Sequence, residues 1–452
     1  MNRKQSFFTG EEVYDRMTQM LLKDFSNAQP SGNIVFSPFS ILMLISLLVS
    51  SSDGRTREEL EEFLNGKASD ENALKMISFL QQIQREFTED RTLYSANALL
   101  VGENYREYIR DSYVRLVKKA YDSQVLTSDN LLEDVNRWVN EKTHGMIPQV
   151  LEQVSPDLVA ILMNAVSFDA QWERTYYDED VVNEDFHNSD GSVSRVRMLM
   201  SKERGYIEDS NVVGFVKPYK DSGYSFMAIM PKQRGERSLT KVIGNLNITS
   251  LFQKRTADLV STMLPEFECQ YQLNMKAYLH EKGVHDVFSQ EAAFTPMSEM
   301  PLLIEEILHK AKIEVDRKGT RAAAVTTAKM AFGAAPFIDL KVVQLNRPFI
   351  YAIIHNRTGL PVFVGIVRKL DDLPEGEDRM SREEKDQVCK PLYKKICYLI
   401  SDVGKKKIHT DELSSKIYEK AITAYIQQDI RALRRILEKV KGMEDVFIRK
   451  EP

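Results

Sequence analysis

The stretch GTRAAAVTTAKMAFGAA, residues 319–335, fits a β-strand by its alternation and an exposed loop by its composition. Successive side chains of a strand point to opposite faces. One alternate set is small or apolar: Thr320, Ala322, Ala324, Thr326, Ala328 and Met330. The other set holds both charges, Arg321 and Lys329. Flanking glycines and the alanine run are equally typical of a loop, so this window favours either an ordinary linker or a segment that switches between loop and strand.

Composition excludes several classes of partner. The chain has 452 residues, more than one usual domain, and a formal net charge of −5. This charge offers no electrostatic reason to expect nucleic acid or an anionic membrane as a partner. One helix face is basic, and a solvated surface is its simplest interpretation; it contains Arg106, Arg110, Arg115, Lys118 and Lys119.

Cysteine content and the N-terminus bear on the compartment. Cys269, Cys389 and Cys397 are too few and too scattered for a disulfide framework, which indicates a reducing compartment or a fold that needs no disulfides. Residues 1–17 lack the apolar core of a signal peptide, and the apolar run at 41–49 is too short to cross a bilayer, so it predicts a buried helix. We expect a cytoplasmic protein, or an extracellular one if a leader is missing or export is unconventional.

Apolar periodicity divides the chain into two structural parts. Residues 8 to about 125 predict mostly helix, and 131–152 predict a further helix. Beyond 158, helices are expected at about 238–253 and 274–282, and strands at 158–172, 194–200, 224–232, 261–269, 309–315, 348–354 and 360–367. This mixture predicts an α+β domain over 1–370. An acidic linker at 371–381 and an all-helical extension at 382–452 follow it.

No motif of catalysis is present in the sequence. There is no phosphate-binding Walker loop, dinucleotide fingerprint, HExxH or GxSxG. The seven histidines are dispersed, and His309, expected just before a strand, fits a hydrogen-bonded structural role better than catalysis. We therefore expect no enzymatic activity, no cofactor and no metal.

Seven segments resemble, in order, the signature segments of the serpin family. They are NIVFSPFSI (33–41), VNRWVNEKTHGMIPQVL (135–151), LMNAVSFDAQWE (162–173), VKPYKDSGYSFMAIMPK (216–232), LPEFECQYQLNMKAYLHEKGVHDVFS (264–289), LHKAKIEVDRKGT (308–320) and LNRPFIYAIIHNRTGLPVFVGIV (345–367). The resemblance covers about residues 8–370. It implies a fold with three β-sheets, eight or nine helices and an exposed reactive-centre loop, here followed by a small all-α extension that ordinary serpins lack.

The resemblance also implies an inhibitor that is consumed by a single reaction. A target serine protease attacks the loop and forms a covalent acyl-enzyme with it. The cut loop then inserts into the central sheet as a new strand and carries the protease along, which distorts the protease active site. Under this interpretation the loop is the stretch 319–335.

Loop positions carry over by motif. The hinge consists of Gly319, Thr320, Arg321, Ala322, Ala323 and Ala324. Gly319 offers a flexible pivot, and no proline interrupts the segment before Pro336. Family spacing places the reactive bond at Gly333–Ala334, which favours an elastase-like or subtilisin-like target. A loop shorter by one residue places it at Phe332–Gly333, which favours a chymotrypsin-like target.

A polar cluster and two aromatic positions also match the family. The cluster lies beneath the point where the central sheet opens, and a hydrogen-bonded latch is its implied role; it consists of Ser37, Ser40, Asn164 and His309. For Ser40 alone, a merely satisfied buried hydroxyl is an equally good interpretation. Phe168 and Trp172 match the aromatic positions at the top of that sheet.

Three features depart from the family pattern. Arg317 stands where inhibitory members usually have Glu, Val325 is bulkier than usual, and the domain ends in residues 368–370 (RKL) rather than Asn-Pro. The first two bear on the rate of insertion. The alternatives are a non-inhibitory serpin acting as carrier or chaperone and a cross-inhibitor of cysteine proteases. In either case, residues 382–452 are a candidate module for a protein partner or for self-association.

Overall fold

The computed structural model describes residues 9–89, 92–153, 160–220, 223–302, 304–320, 341–373 and 387–397. It also describes residues 417, 420–422, 424–425, 433–437 and 440. Within residues 9–373, the described part contains nine α-helices. They are α1 (Gly10–Ala28), α2 (Pro38–Ser51), α3 (Gly54–Asn65), α4 (Asp70–Phe87), α5 (Asp111–Tyr121), α6 (Leu131–Lys142), α7 (Glu236–Gly244), α8 (Ile248–Gln253) and α9 (Met275–Glu281).

Sixteen strands accompany these helices in the described residues. The first eight are β1 (Ile34–Phe36), β2 (Leu93–Gly102), β3 (Ser123–Ser128), β4 (Ala160–Phe168), β5 (Ala170–Gln171), β6 (Val181–His187), β7 (Val193–Glu208) and β8 (Val212–Pro218). The others are β9 (Tyr224–Pro231), β10 (Thr256–Pro265), β11 (Phe267–Asn274), β12 (Ile304–Val315), β13 (Gly319–Thr320), β14 (Lys341–Gln344), β15 (Phe349–His355) and β16 (Pro361–Val367).

The strands form three sheets. A seven-stranded sheet has the order β3-β2-β4-β12-β13-β5, with β11 beside β12. Nine further strands follow one continuous order, β1-β16-β15-β9-β8-β7-β10-β14, with β6 beside β7. They form the other two sheets, which share β7. Strand β7 pairs with β6 and β10 over most of its length but with β8 only at residues 206–208, so it passes from one sheet into another. The predicted three-sheet α+β fold is confirmed.

Helix α2 lies at the centre of the core. Ser37 caps its N-terminus by accepting a hydrogen bond from the amide of Ser40, and Pro38 occupies the first turn. Residues 41–49 are buried on every side, so the helix has no solvent face and the predicted buried helix is confirmed. It packs against α4, β4 and β16 and thereby joins the helical layer to the sheets.

Two sequence predictions are wrong in their boundaries, and a third omits strands. Residues 8–125 are mostly helical, as expected, but they also contain β1, β2 and β3; the buried run 98–101 of β2 fits a buried helix as well as a strand. The helix expected over 131–152 ends at Lys142, where His144 and Gly145 adopt positive φ values and stop it. The helix expected over 238–253 breaks into α7 and α8, and Asn247 caps the second.

The described residues beyond 386 are helical, which confirms the predicted all-α character of the extension. A helix spans 387–397, and the apolar side chains of this region form a cluster of their own. Tyr393 and Tyr425 stack within that cluster with ring centroids 4.7 Å apart. Most of the predicted linker, 374–381, lies outside the described residues. No helix in the described part of the chain is both long and apolar enough to cross a bilayer.

Candidate functional site

The seven-stranded sheet is open between two of its central strands. Strands β4 and β12 run parallel and pair from Ala160 with Ile304 to Met163 with Leu308. Above Leu308, no ladder pair joins residues 309–314 of β12 to residues 164–169 among the described residues. We call these two facing stretches, 164–169 and 309–314, the open seam. A missing central strand is the simplest description of such a gap.

Strand β13 already occupies the top of the open seam. Thr320 pairs with Val315 of β12 on one side and with Ala170 of β5 on the other. Its side chain is fully buried, and its hydroxyl lies 2.6 Å from the Tyr219 hydroxyl. The chain that leads into the candidate loop therefore starts as a strand in the gap.

Gly319 is needed here for space rather than for unusual backbone freedom. A Cβ atom at this position would lie 2.1 Å from the carbonyl oxygen of Ala170, far inside contact distance. Its φ angle is not in the positive region in this conformation, so the predicted role of Gly319 as a flexible pivot remains a prediction. Any larger residue would push β13 away from β5. The other hinge residues, Arg321–Ala324, and both candidate bonds among Phe332, Gly333 and Ala334 lie outside the described residues.

The four residues of the predicted polar cluster meet at the lower end of the open seam. Asn164 and His309 are the first residues above the last pair of β4 with β12. The Ser40 hydroxyl donates to Asn164 Oδ1, and the Ser40 amide donates to Ser37 Oγ at 3.2 Å. The Ser37 amide donates to His309 Nε2 at 3.4 Å. One connected network therefore joins α2 to both edges of the gap.

Asn97 extends this network and was not singled out from the sequence. Asn164 Nδ2 donates to Asn97 Oδ1 at 2.7 Å, and Asn97 lies directly opposite Asn164 in the β2–β4 ladder. Asn97 in turn donates to the carbonyl oxygen of Tyr121. Its only sequence signal is an amide side chain inside an apolar run, which requires a partner once buried.

His309 is held as a neutral imidazole. It lies in the middle of β12, so the prediction that it precedes a strand is wrong. Burial lowers its pKa to about 4, well below the ordinary value. Since Nε2 accepts a hydrogen bond, the proton resides on Nδ1, which has no partner among the described residues. The predicted cluster thus contains one buried donor, His309 Nδ1–H, without a partner among the described residues.

Trp172 holds the turn that precedes the hinge. Its backbone amide donates to the carbonyl of Lys318 at 2.9 Å, and its indole donates to the carbonyl of Asp316 at 2.8 Å. Its ring stacks on Tyr219 with centroids 4.6 Å apart, and Phe168 packs edge-on against the same tyrosine at 4.9 Å. Phe168 and Trp172, both named from the sequence, therefore pack against Tyr219, which is the hydrogen-bond partner of Thr320.

A buried ion pair lies behind these rings. Lys217 Nζ is 2.6 Å from Glu203 Oε1, and both side chains are almost fully buried. Burial alone would lower the pKa of Lys217, but Tyr176 and Glu203 outweigh it and raise that pKa. The ammonium also lies 4.5 Å from the Tyr176 ring centroid and 5.4 Å from that of Trp172.

Arg317 has acidic partners that balance its unusual charge. It lies 2.6 Å from Asp178 and 3.6 Å from Glu266, and Arg197 also reaches Glu266 at 3.4 Å. Tyr176 donates its amide to the carbonyl of Arg317 at 2.9 Å. These partners are distant in sequence, so the departure from the family pattern could not be judged without the structure.

We expect Arg317→Glu to lower the free energy of unfolding by about 1–2 kcal/mol, because it places a third carboxylate beside Asp178 and Glu266. Thermal unfolding measures the loss. Arg317→Gln is the matched control and should lose less, since it removes the attraction without adding repulsion. Adding Glu266→Lys to Arg317→Glu should restore part of the stability; strictly additive losses in the double variant would contradict the pairing.

The end of the domain is also firmly held. Arg368 is fully buried and donates to Glu236 at 3.2 Å and to Ser26 Oγ at 2.6 Å. Leu370 donates its amide to Asn188 at 3.0 Å. This departure from the usual family ending therefore closes the domain by side-chain hydrogen bonds.

No group of histidine, cysteine or carboxylate side chains suited to a metal ion occurs among the described residues.

Comparison with protein families matches residues 12–370 to "Serpin (serine protease inhibitor)". The match ends before the helical extension. Leukocyte elastase inhibitor A of Mus musculus is 27% identical over 367 residues, which cover 77% of this chain and 96% of that protein. Intracellular coagulation inhibitor 2 of Tachypleus tridentatus is 28% identical over 363 residues, with coverage of 75% and 86%. The crystal structure of the thermophilic serpin tengpin in its native state is 31% identical, with a TM-score of 0.71 and coverage of 82% and 96%.

Proposed function

The chain belongs to the serpin family, and on that premise we propose that it inhibits a serine protease by acting as a suicide substrate. The protease serine attacks the carbonyl carbon of the reactive bond, and the peptide bond breaks as the acyl-enzyme forms. The cut loop then extends β13 down the open seam before water can hydrolyse the ester. Many serpins inhibit serine proteases, so the family supports the class of activity, and the geometry of this chain supports the mechanism.

The observation that carries the proposal is the open seam with Thr320 already seated at its top. The antiparallel pair of Thr320 with Val315 sets the alignment of any strand that continues from it. Continued without a bulge, this alignment places Ala322, Ala324 and Thr326 opposite Ile313, Ala311 and His309. These three β12 residues are buried, so the small alternate set of the loop would face the same buried side. The charged set, with Arg321 and Lys329, would face the other side.

The same alignment gives a role to the unused donor of His309. Thr326 would lie directly opposite His309, with Cβ atoms about 5 Å apart. The Nδ1–H of His309 has no partner among the described residues before insertion. After insertion the Thr326 hydroxyl can accept its proton, so the polar cluster would gain a hydrogen bond instead of losing one.

Residue size around the candidate bond supports a target with a small or an apolar specificity pocket. Cleavage at Gly333–Ala334 presents small residues, as an elastase-like or subtilisin-like enzyme requires. Cleavage at Phe332–Gly333 presents an aromatic side chain to a chymotrypsin-like enzyme. The similarity to a protein named leukocyte elastase inhibitor favours the elastase-like class.

A panel of proteases tests the proposal. The full chain is incubated with elastase, chymotrypsin, subtilisin, trypsin and a papain-like cysteine protease. We expect an SDS-stable adduct with at least one of the first three, and mass spectrometry of the released C-terminal fragment identifies the bond. Adducts with the cysteine protease alone would favour the cross-inhibitor alternative. Cleavage of the loop by every enzyme without any adduct would rule out the inhibitor.

The helical extension belongs to the same proposal as an interaction module for a protein partner or for self-association. Its described residues form an apolar cluster of their own, and no described residue of 9–373 belongs to that cluster. Size-exclusion chromatography of the full chain and of a chain ending at residue 373 distinguishes the two roles. A change in apparent mass beyond the deleted residues would identify self-association.

A further inference from the structure

A cavity of about 440 Å³ lies beside the hinge, between the chain that follows β5 and strands β7, β8 and β10. We call it the hinge cavity, and its lining includes Arg174, Lys202, Arg204, Lys217, Glu203 and Leu259. Its volume is that of a small-molecule site rather than of a macromolecular groove. We propose that the hinge cavity binds a compact, phosphate-bearing small molecule.

Uncompensated positive charge supports this proposal. Arg174, Lys202 and Arg204 are exposed, and none of them forms an ion pair within the described residues. Many other exposed cations of the domain are paired, as Lys75 is with Glu71 and Lys232 with Glu208. A concentration of unpaired cations in a concave site raises the local positive potential, even though the whole chain carries a net charge of −5.

The acidic residues of the cavity do not cancel this charge. Glu203 is already engaged by Lys217 at 2.6 Å and also accepts from the Ser201 hydroxyl at 2.6 Å. Glu173 is exposed and is the other carboxylate of the lining. Four cations and two carboxylates therefore line the space, and an anion is the ligand that such a lining favours.

Phosphate fits this lining better than a monocarboxylate does. Two guanidinium groups offer planar forks of donors, and such forks bind phosphate oxygens in pairs. A phosphate group carries up to two charges and three acceptor oxygens, enough for three cations, whereas a carboxylate carries one charge and two oxygens. Leu259 and Pro218 add a limited apolar wall, which leaves room for a small organic part.

Trp172 reports on binding at this site. Lys217 Nζ lies 5.4 Å from its ring centroid, so a new anion beside Lys217 changes the field at the indole. The chain has two tryptophans, and Trp138→Phe leaves Trp172 as the single fluorophore. In this variant, inorganic pyrophosphate at constant ionic strength should produce a saturable change of emission. It should also raise the unfolding temperature by about 1–2 °C, since a ligand of the native state stabilises that state.

Matched variants distinguish binding in the hinge cavity from a general effect of surface charge on pyrophosphate. Arg174→Gln and Arg204→Gln should each weaken pyrophosphate binding about tenfold, the loss expected for one charge-assisted hydrogen bond. Arg237→Gln removes an exposed arginine of α7 outside the cavity and should bind as the parent does. Acetate at equal ionic strength should give no saturable signal. The proposal is overturned if pyrophosphate gives no saturable change, or if affinity survives in the Arg174→Gln/Arg204→Gln double variant. No protease enters this measurement, so its result is independent of the inhibitory function.

Discussion

A Thr320→Arg variant is expected to be cut by the target protease as readily as the wild type but to trap at least about 100-fold less of it. Thr320 is fully buried, and its hydroxyl shares a 2.6 Å hydrogen bond with Tyr219. An arginine in that place must either bury its charge or leave the sheet, and leaving an unpaired buried charge costs several kcal/mol. The first pair of the new strand would then be lost. Insertion would slow, and hydrolysis of the acyl-enzyme would release active protease.

Two further variants control for this result. Thr320→Ser keeps the hydroxyl and should inhibit nearly as the wild type does. Ala323→Arg adds the same charge to the alternate set that is expected to face solvent, so it should retain most of the inhibition. The readouts are the stoichiometry of inhibition and the amount of SDS-stable complex. If Thr320→Arg and Ala323→Arg were equally impaired, the alternation would have no role in insertion.

Cleavage of the loop is expected to raise the unfolding temperature by on the order of 20 °C. Residues 309–314 lack ladder partners in β4 within the described chain, so a new strand can form backbone hydrogen bonds on both of its edges. About a dozen such bonds, at roughly 1 kcal/mol each, amount to on the order of 10 kcal/mol. In a domain of this length, a stability gain of this size raises the unfolding temperature by on the order of 20 °C.

Differential scanning calorimetry before and after cleavage measures this shift. Thr326→Val should leave the uncut form unchanged and lower the stability of the cut form by about 1–2 kcal/mol, because His309 would lose its new acceptor. Ala323→Ser, on the opposite alternate set, is the matched control and should change neither form. Equal unfolding temperatures before and after cleavage would favour the carrier or chaperone alternative.

Local sequence predicted most of the strands and few of their partners. The strands expected at 224–232, 348–354 and 360–367 correspond closely to β9, β15 and β16. Short runs rich in apolar, aromatic or β-branched residues favour the strand conformation. Strand β2 was missed because it lies among helices and its short apolar run, residues 98–101, fits a buried helix as well as a strand. A short apolar run therefore indicates that an element is buried, but by itself it does not distinguish a buried strand from a buried helix.

The candidate site likewise contains residues that the sequence identified and residues that it did not. Motif resemblance named Ser37, Ser40, Asn164 and His309, and the structure brings all four together. It did not point to Asn97 or to Tyr219, because each acquires its role only through a partner distant in the chain. Asn97 and Asn164 are 67 residues apart, and Tyr219 and Thr320 are 101 apart. No periodicity within a window of residues can report such contacts.

The sequence by itself determined that residues 319–335 are small, free of proline and alternating, and therefore able to form a strand with one buried face. Only the tertiary structure decided where that strand can begin. Thr320 is seated between β5 and β12 because β4 separates from β12 above Leu308 and leaves the space open. The physical reason is that backbone preference and side-chain alternation are local properties. A vacant position in a sheet, by contrast, exists only when strands from distant parts of the chain have packed around it.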